Sequence, residues 1–403
     1  MAIGQHGKDD AAEAVYELVG SPLPASFTLQ AHNRDRGQHI QVQYHDHLFS
    51  VGIAEYGLIE LGFEWDGATL FALAGDGQTP YSGSNPPVNW MQATLPTIGG
   101  KSLRQISMPA THNSGMSELQ EPNHFAVPHN TQCQIANVYE QLRFGARWLD
   151  IRPLHARGRW MTSHVSRFGT EDRRFAGSAG RSLEDVIDDI NRFTAQNPGE
   201  LIFVDLSHEI KSSQEFAGIR DLDEHEWTDL YNKLSRIEHL WNPSDDLFNN
   251  LPHDLSTVPV LTFIQPGLVS AVIVRVPGRA PQTSLKAVIH NGRIPYGGRW
   301  SDTMDAGFLE QDQVKRLQES RPSRDSEMHR STYTITQSGT AISNVGQPEQ
   351  SIIGLSKYAH KKLFLELWPH LSGNTYPNII EIDNMHNSNV AAMCIVINEH
   401  FAK

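Results

Sequence analysis

Residues 183–209 read LEDVIDDINRFTAQNPGELIFVDLSHE. From Leu183 to Thr194 the apolar residues follow a helical pattern, from Leu201 to Leu206 they form a short apolar strand, and the polar triplet Ser207-His208-Glu209 ends that strand. The same texture recurs on either side. Upstream lies the short apolar run Trp148–Ile151; downstream come Leu363–Leu367, Ile379–Ile382 and a helix from Ser388. Strand and helix alternating over roughly 300 residues predict a parallel TIM-type (β/α)8 barrel, whole or distorted.

The N-terminal part is built differently. Between Ser26 and Ala74 the period is two: Ile40, Val42 and Tyr44 alternate with glutamines, and Ile59, Leu61, Phe63 and Trp65 alternate with Glu60, Gly62 and Glu64. Asp66-Gly67 is the dipeptide of a tight hairpin turn. These signs predict a small antiparallel β domain. Gly75 to Pro87, dense in Gly and Pro, reads as a linker, which divides the chain into residues 1–92 and a barrel over 93–403. The sequence assigns the β domain no function of its own.

A formal charge of -13 over 403 residues, with no dense Lys/Arg run, excludes a phosphate-backbone binder and weakens purely electrostatic attachment to anionic lipid. Two cysteines, Cys133 and Cys394, rule out a disulfide framework; they allow one bridge, but read rather as two buried free thiols. Residues 1–20 lack an apolar run, so the expectation is a soluble protein, cytoplasmic or secreted, that touches membranes peripherally.

Barrel enzymes keep their chemistry where strands end. Here His112-Asn113 follows Ile106–Met108, Asp150 and Arg152 end Trp148–Ile151, His164 follows Trp160-Met161, Glu209 follows the run ending at Leu206, and Asp383 ends Ile379–Ile382. Two histidines with an arginine and a carboxylate suit cleavage of a phosphodiester. One His takes the nucleophile's proton, the other protonates the leaving group, and Arg binds the charged oxygens. His124, His129, His155, His208 and His386 carry no such context and read as structural, as do the paired charges Arg143 and Arg147.

SMPATHNSG at 107–115, YEQLRFGARWLDIRP at 139–153, the segment 183–209, RWSDT at 299–303 and NIIEIDNM at 378–385 resemble, in order, the motifs of the phosphatidylinositol-specific phospholipase C X domain. The resemblance runs from about residue 94 to the end. It implies a barrel in which His112 is the general base, Asp383 orients it, Arg152 stabilises the phosphate, His164 protonates the departing diacylglycerol oxygen and Asp150 stands beside the arginine. It also implies headgroup contacts near Asn113, Glu209, Arg275 and Trp300, and a cyclic inositol phosphate as product.

The calcium-dependent branch of that family places a carboxylate where this chain has Arg152. A guanidinium cannot ligate calcium but supplies a fixed positive fork, so no cofactor is expected. The alternative is calcium on Asn113, Asp150 and Glu209. Asn113 departs from the aspartate of the metal-free bacterial enzymes. The competing functions are a barrel phosphodiesterase acting on another phospholipid headgroup, against which Arg152 speaks, and a non-catalytic lipid-binding protein.

Overall fold

All five side chains of Leu201–Asp205 are buried, as in a strand covered on both faces. In the computed structural model of the chain this strand is the third of eight in one parallel sheet. The structure describes residues 11–17, 26–32, 38–44, 47–53, 72–75, 80–83, 86–123, 126–167, 175–206, 210–213, 219–264, 267, 269–338, 347–386 and 389–401.

In chain order the barrel strands are Met108–Thr111, Trp148–Asp150, Leu201–Asp205, Ala271–Val276, Val288–His290, Tyr296–Gly297, Met328–Tyr333 and Ile379–Ile382. They are called strands 1 to 8 below. Their order in the sheet is 5-4-3-2-1-8-7-6, so the wall is a distorted TIM barrel left open between strands 5 and 6. Chain length accounts for the opening. Only residues 291–295 separate the two strands, and a parallel return needs a crossover of a dozen or more residues.

Side chains span the opening instead. Arg275 of strand 4 pairs with Asp205 of strand 3 at 2.9 Å, donates to the Ile294 carbonyl and lies 4.2 Å over the ring of Tyr296 in strand 6. The Tyr296 hydroxyl donates to Asp205 at 2.8 Å, and Arg330 of strand 7 reaches both that hydroxyl and Glu381 of strand 8.

Helix Leu183–Gln196 shows how local sequence builds the outer layer. The Ser182 hydroxyl accepts the Asp185 amide as an N-cap, while Leu183, Val186, Ile187, Ile190 and Phe193 form a buried stripe against the barrel wall. The run Leu363–Leu367, expected among the strands, ends helix Ile352–Glu366 instead. Leu355, Ala359 and Leu363 bury one face at four-residue spacing, a period that a five-residue stretch taken alone does not reveal.

Helix Trp90–Ile98 runs across residue 92, and Trp90, fully buried, packs in one cluster with Met108, Trp148 and Phe203 of the barrel. Before it, Ala11–Glu17, Ser26–His32, Gln38–Tyr44 and His47–Ile53 form a four-stranded antiparallel sheet in sequential order. The expected strand at Ile59–Trp65 and the turn at Asp66-Gly67 lie outside the described residues. The stretch read as a linker contains half of a hairpin, Ala72–Gly75 with Pro80–Gly83. Its glycines and prolines limit strands to four residues without forbidding them, and Pro80 sits at a strand start, where proline is tolerated.

A second sheet of five strands stands beside the barrel, in the order Lys211–Ser213, Pro153–Ala156, Arg159–Arg167, Phe175–Ser182, Gln120–Asn123. Its central hairpin turns at Arg157 and Gly158, both with positive φ (51° and 70°), as a two-residue turn requires.

Candidate active site

Strands 8 and 1 are neighbours, with Ile382 in register with Thr111, so the residue after each faces the other at the wall's end. There His112 Nδ1 lies 2.7 Å from Asp383 Oδ1, both side chains buried. The backbone reinforces the pairing: the His112 amide donates to the Ile382 carbonyl, and the Gln134 side-chain amide donates to the carbonyls of both His112 and Ile382. His360 Nε2 lies 2.9 Å from the Asp383 carbonyl.

With Nδ1 directed at a carboxylate, the remaining lone pair of neutral His112 is on Nε2. The Asn113 side-chain amide sits 3.3 Å from that atom as a donor. Burial pushes the Asp383 carboxyl well above its ordinary range, opposed by the charge of Arg152. A carboxylate so desolvated gains strongly from a cation beside it, which favours an imidazolium at His112 once a proton is taken.

Asp150 ends strand 2. Its Oδ2 accepts the Asn113 backbone amide at 3.0 Å and Arg152 Nε–H at 3.1 Å, with Arg152 Nη2 in ion-pair contact at 3.0 Å. Arg152 is thereby fixed with its guanidinium 5.8 Å from the ring centre of Trp300, and the rings of Trp300 and His112 meet in a T-shaped contact with their centres 4.6 Å apart.

His164 comes from the middle of strand Arg159–Arg167 in the second sheet, not from a barrel strand end as the sequence suggested. A hairpin continues past its apolar residues, whereas the sequence offers only a loop of uncertain length. Gly115 lets the two layers meet: a Cβ there would lie 2.2 Å from Thr162, whose hydroxyl donates to the Gly115 carbonyl. The rings of His164 and His112 stand 6.0 Å apart at 80°. His164 Nδ1 lies 2.9 Å from the Thr131 carbonyl, which only accepts, so in the neutral ring Nδ1 carries the proton and Nε2 the lone pair.

The structure thus brings together His112, Asn113, Asp150, Arg152, His164, Trp300 and Asp383. Arg275 is committed to the wall, to Asp205, Ile294 and Tyr296. Glu209 lies outside the described residues. Arg147 is fully buried and paired with Glu200, and His155 pairs with Glu226, both structural. Both cysteines are free and buried. Of the three residues named for calcium, Asp150 has the Arg152 guanidinium 3.0 Å from its carboxylate, and Glu209 lies outside the described residues.

Sequence reading missed Cys133, whose thiol lies 3.4 Å from His164 Nδ1 and 3.6 Å from the Asn113 amide. Burial, reinforced by the nearby Asp383, raises that thiol well above its ordinary range. It also missed Gln134 and the Asp205–Tyr296 wall contacts. A single cysteine or glutamine in a loop carries no pattern that would single it out.

No known family profile matches this sequence, and no curated protein matches it. Solved structures do. A pentafluoro-phenylalanine form of phosphatidylinositol-specific phospholipase C from Staphylococcus aureus superposes with a TM-score of 0.51 at 14% identity, over 74% of this chain and 91% of that one. A mutant of the same S. aureus enzyme gives 0.52 at 13% identity with the same coverage. A third S. aureus structure, described in terms of the modulation of that enzyme's membrane binding, gives 0.50 at 14% identity, again over 74% and 91%. At this identity the likeness establishes one thing: the chain shares a distorted TIM-barrel fold with the S. aureus enzyme.

Proposed function

We propose that the protein cleaves the phosphodiester of phosphatidylinositol, or a closely related inositol lipid, by general acid/base catalysis without a metal. The carrying observation is the pair His112 and His164, facing each other at 6.0 Å with Asp383 behind one ring and Arg152 beside the pair. His112 Nε2 takes the proton of the inositol 2-hydroxyl, and that oxygen attacks phosphorus. The bond from phosphorus to the diacylglycerol oxygen breaks, and the leaving oxygen takes a proton from His164 Nε2. The products are a cyclic inositol phosphate and a diacylglycerol, and the next turnover begins once the two histidines have exchanged protons with water.

Arg152 supplies the positive charge for the phosphate oxygens. Asp150 fixes its planar fork from behind, an arrangement suited to charge that grows in the transition state. Trp300 offers an aromatic wall beside the base. The substrate sits in a membrane, so the protein acts at a lipid surface from outside. Among the described residues no helix is long and apolar enough to cross a bilayer.

The test is phosphorus NMR of phosphatidylinositol vesicles incubated with the protein in a chelator. A cyclic phosphodiester signal, lost with His112→Ala, is the expected result. Turnover only after calcium is added would overturn the metal-free mechanism, and no turnover in either condition would overturn the choice of headgroup.

A further inference from the structure

The candidate site contains a group of donor atoms that the proposed chemistry does not use together. A ring nitrogen of His112, the Cys133 sulfur and an Asp383 carboxylate oxygen all lie within 4.8 Å of one another, and all three side chains are buried. From this geometry we infer that the site takes a soft divalent cation of the zinc type on His112, Cys133 and Asp383. The cation would displace the thiol proton and hold the general base out of reaction.

Donor chemistry selects the cation. A thiolate with imidazole and one carboxylate is a zinc-type set, whereas calcium and magnesium seek oxygen. This trio shares no member with Asn113, Asp150 and Glu209, the oxygen set on which calcium would depend. Tetrahedral zinc takes sulfur at about 2.3 Å and nitrogen or oxygen at about 2.0–2.2 Å. Donors already within 4.8 Å of each other need only small inward side-chain movements to meet it. His164 Nδ1 stands 3.4 Å from the same sulfur.

Charge balances as well. Zinc replaces one thiol proton, and thiolate and carboxylate together neutralise it, while the neighbouring Arg152 charge is offset by its partner Asp150, so a doubly charged ion enters a buried place without adding net positive charge there. A thiol gives up its proton when it ligates a metal. Metal entry therefore releases one proton to solvent and needs no other reactant.

Binding itself does not depend on the proposed reaction; the loss of turnover that follows from it does. The first experiment therefore reads binding alone. Cobalt(II) is titrated into the full chain carrying Cys394→Ser, and a sulfur-to-cobalt charge-transfer band in the near ultraviolet is followed. The expected result is a band saturating at one equivalent, abolished by Cys133→Ser and needing at least tenfold more cobalt with Asp383→Asn. A band that survives Cys133→Ser, or no band, overturns the site.

X-ray absorption of the zinc-loaded, otherwise unaltered protein keeps the question decidable should a variant misfold. One sulfur near 2.3 Å among lighter neighbours is expected, and a shell without sulfur overturns the inference. In the lipid assay, one equivalent of zinc should lower cleavage at least tenfold, and EDTA should restore it. Full activity of zinc-loaded protein would overturn the inhibitory consequence, while a cobalt band in a protein without lipase activity would sink the proposed function and leave the metal site standing.

Discussion

Asn113 and Asn384 share one backbone conformation, with φ of 46° and 52°, and each directly follows a member of the His112–Asp383 pair on adjacent strands. Two left-handed residues turn the chain away as soon as the paired side chains are placed. Asparagine adopts this conformation more readily than most non-glycine residues, which gives a local reason for its presence at both positions.

Substitution separates the two roles of Asn113. Asn113→Gly keeps the turn and removes the amide donor at His112 Nε2, so it should lower kcat while the melting temperature hardly moves. Asn384→Val places a β-branched residue at positive φ and should cost about 1–2 kcal/mol in denaturant unfolding. Equal stability of Asn384→Val and Asn384→Gly would contradict the conformational reading.

Asp383→Asn leaves a side chain of the same size but removes the charge that favours an imidazolium at His112. Cleavage should slow by about 10²–10⁴-fold, mostly in kcat. Steady-state kinetics on mixed micelles would show it, and a change confined to KM would point to substrate binding instead.

Arg152→Lys retains a positive charge but not the fork. Lysine cannot hold Asp150 through two nitrogens as the guanidinium does at 3.1 and 3.0 Å, so the charge loses its fixed position. A loss of about tenfold to a hundredfold in kcat/KM is expected, the cost of one or two charge-assisted hydrogen bonds. Unchanged kinetics would mean that only net charge matters at this position.

Acid should weaken the fold for a definable reason. Burial pushes both His329 and His360 down to about 4. In the unfolded chain an imidazole takes its proton near 6.5, so between about 6.5 and about 4 the unfolded state binds more protons than the folded one. Stability therefore falls as the pH drops through that window and levels off below it. Calorimetry from pH 7 to pH 4 should show the decline, and His329→Gln should flatten part of it; a melting temperature constant across the window would exclude both groups.

How much of this was legible beforehand differs by residue. Helix Leu183–Gln196 and strand Leu201–Asp205 were plain, because a buried stripe and a doubly covered strand each leave a periodic mark. His112, Asp150 and Asp383 follow from the rule that barrel chemistry gathers at strand ends. Val288–His290 and Tyr296–Gly297 escaped, since strands of three and two residues are too short to carry a period. His164 was identified without its setting, because nothing in residues 153–167 says that the hairpin belongs to a second sheet. Cys133 needed three dimensions: its neighbours His164 and Asp383 are distant in sequence.

The opening between strands 5 and 6 gives Trp300 a particular mechanical situation. Backbone ladders stitch seven of the eight junctions around the described barrel, and strand 6 is fastened by its ladder to strand 7 alone. Trp300 is carried three residues beyond that strand, so it rides on a flap hinged along one edge. Shifting the flap breaks no ladder bond on its other side, but it works against the tie of Tyr296 to Asp205 and Arg275, the bond from Arg275 to the Ile294 carbonyl, and the hold of the Gln313 amide on Arg299 and Ser301. Under the proposed function, a bulky headgroup entering beside His112 would be met by yielding of this strand rather than of the laddered wall that aligns His112, Asp383 and Asp150. Arg275 then acts as the latch on that flap, and its loss would loosen the entrance before it disturbed the chemistry.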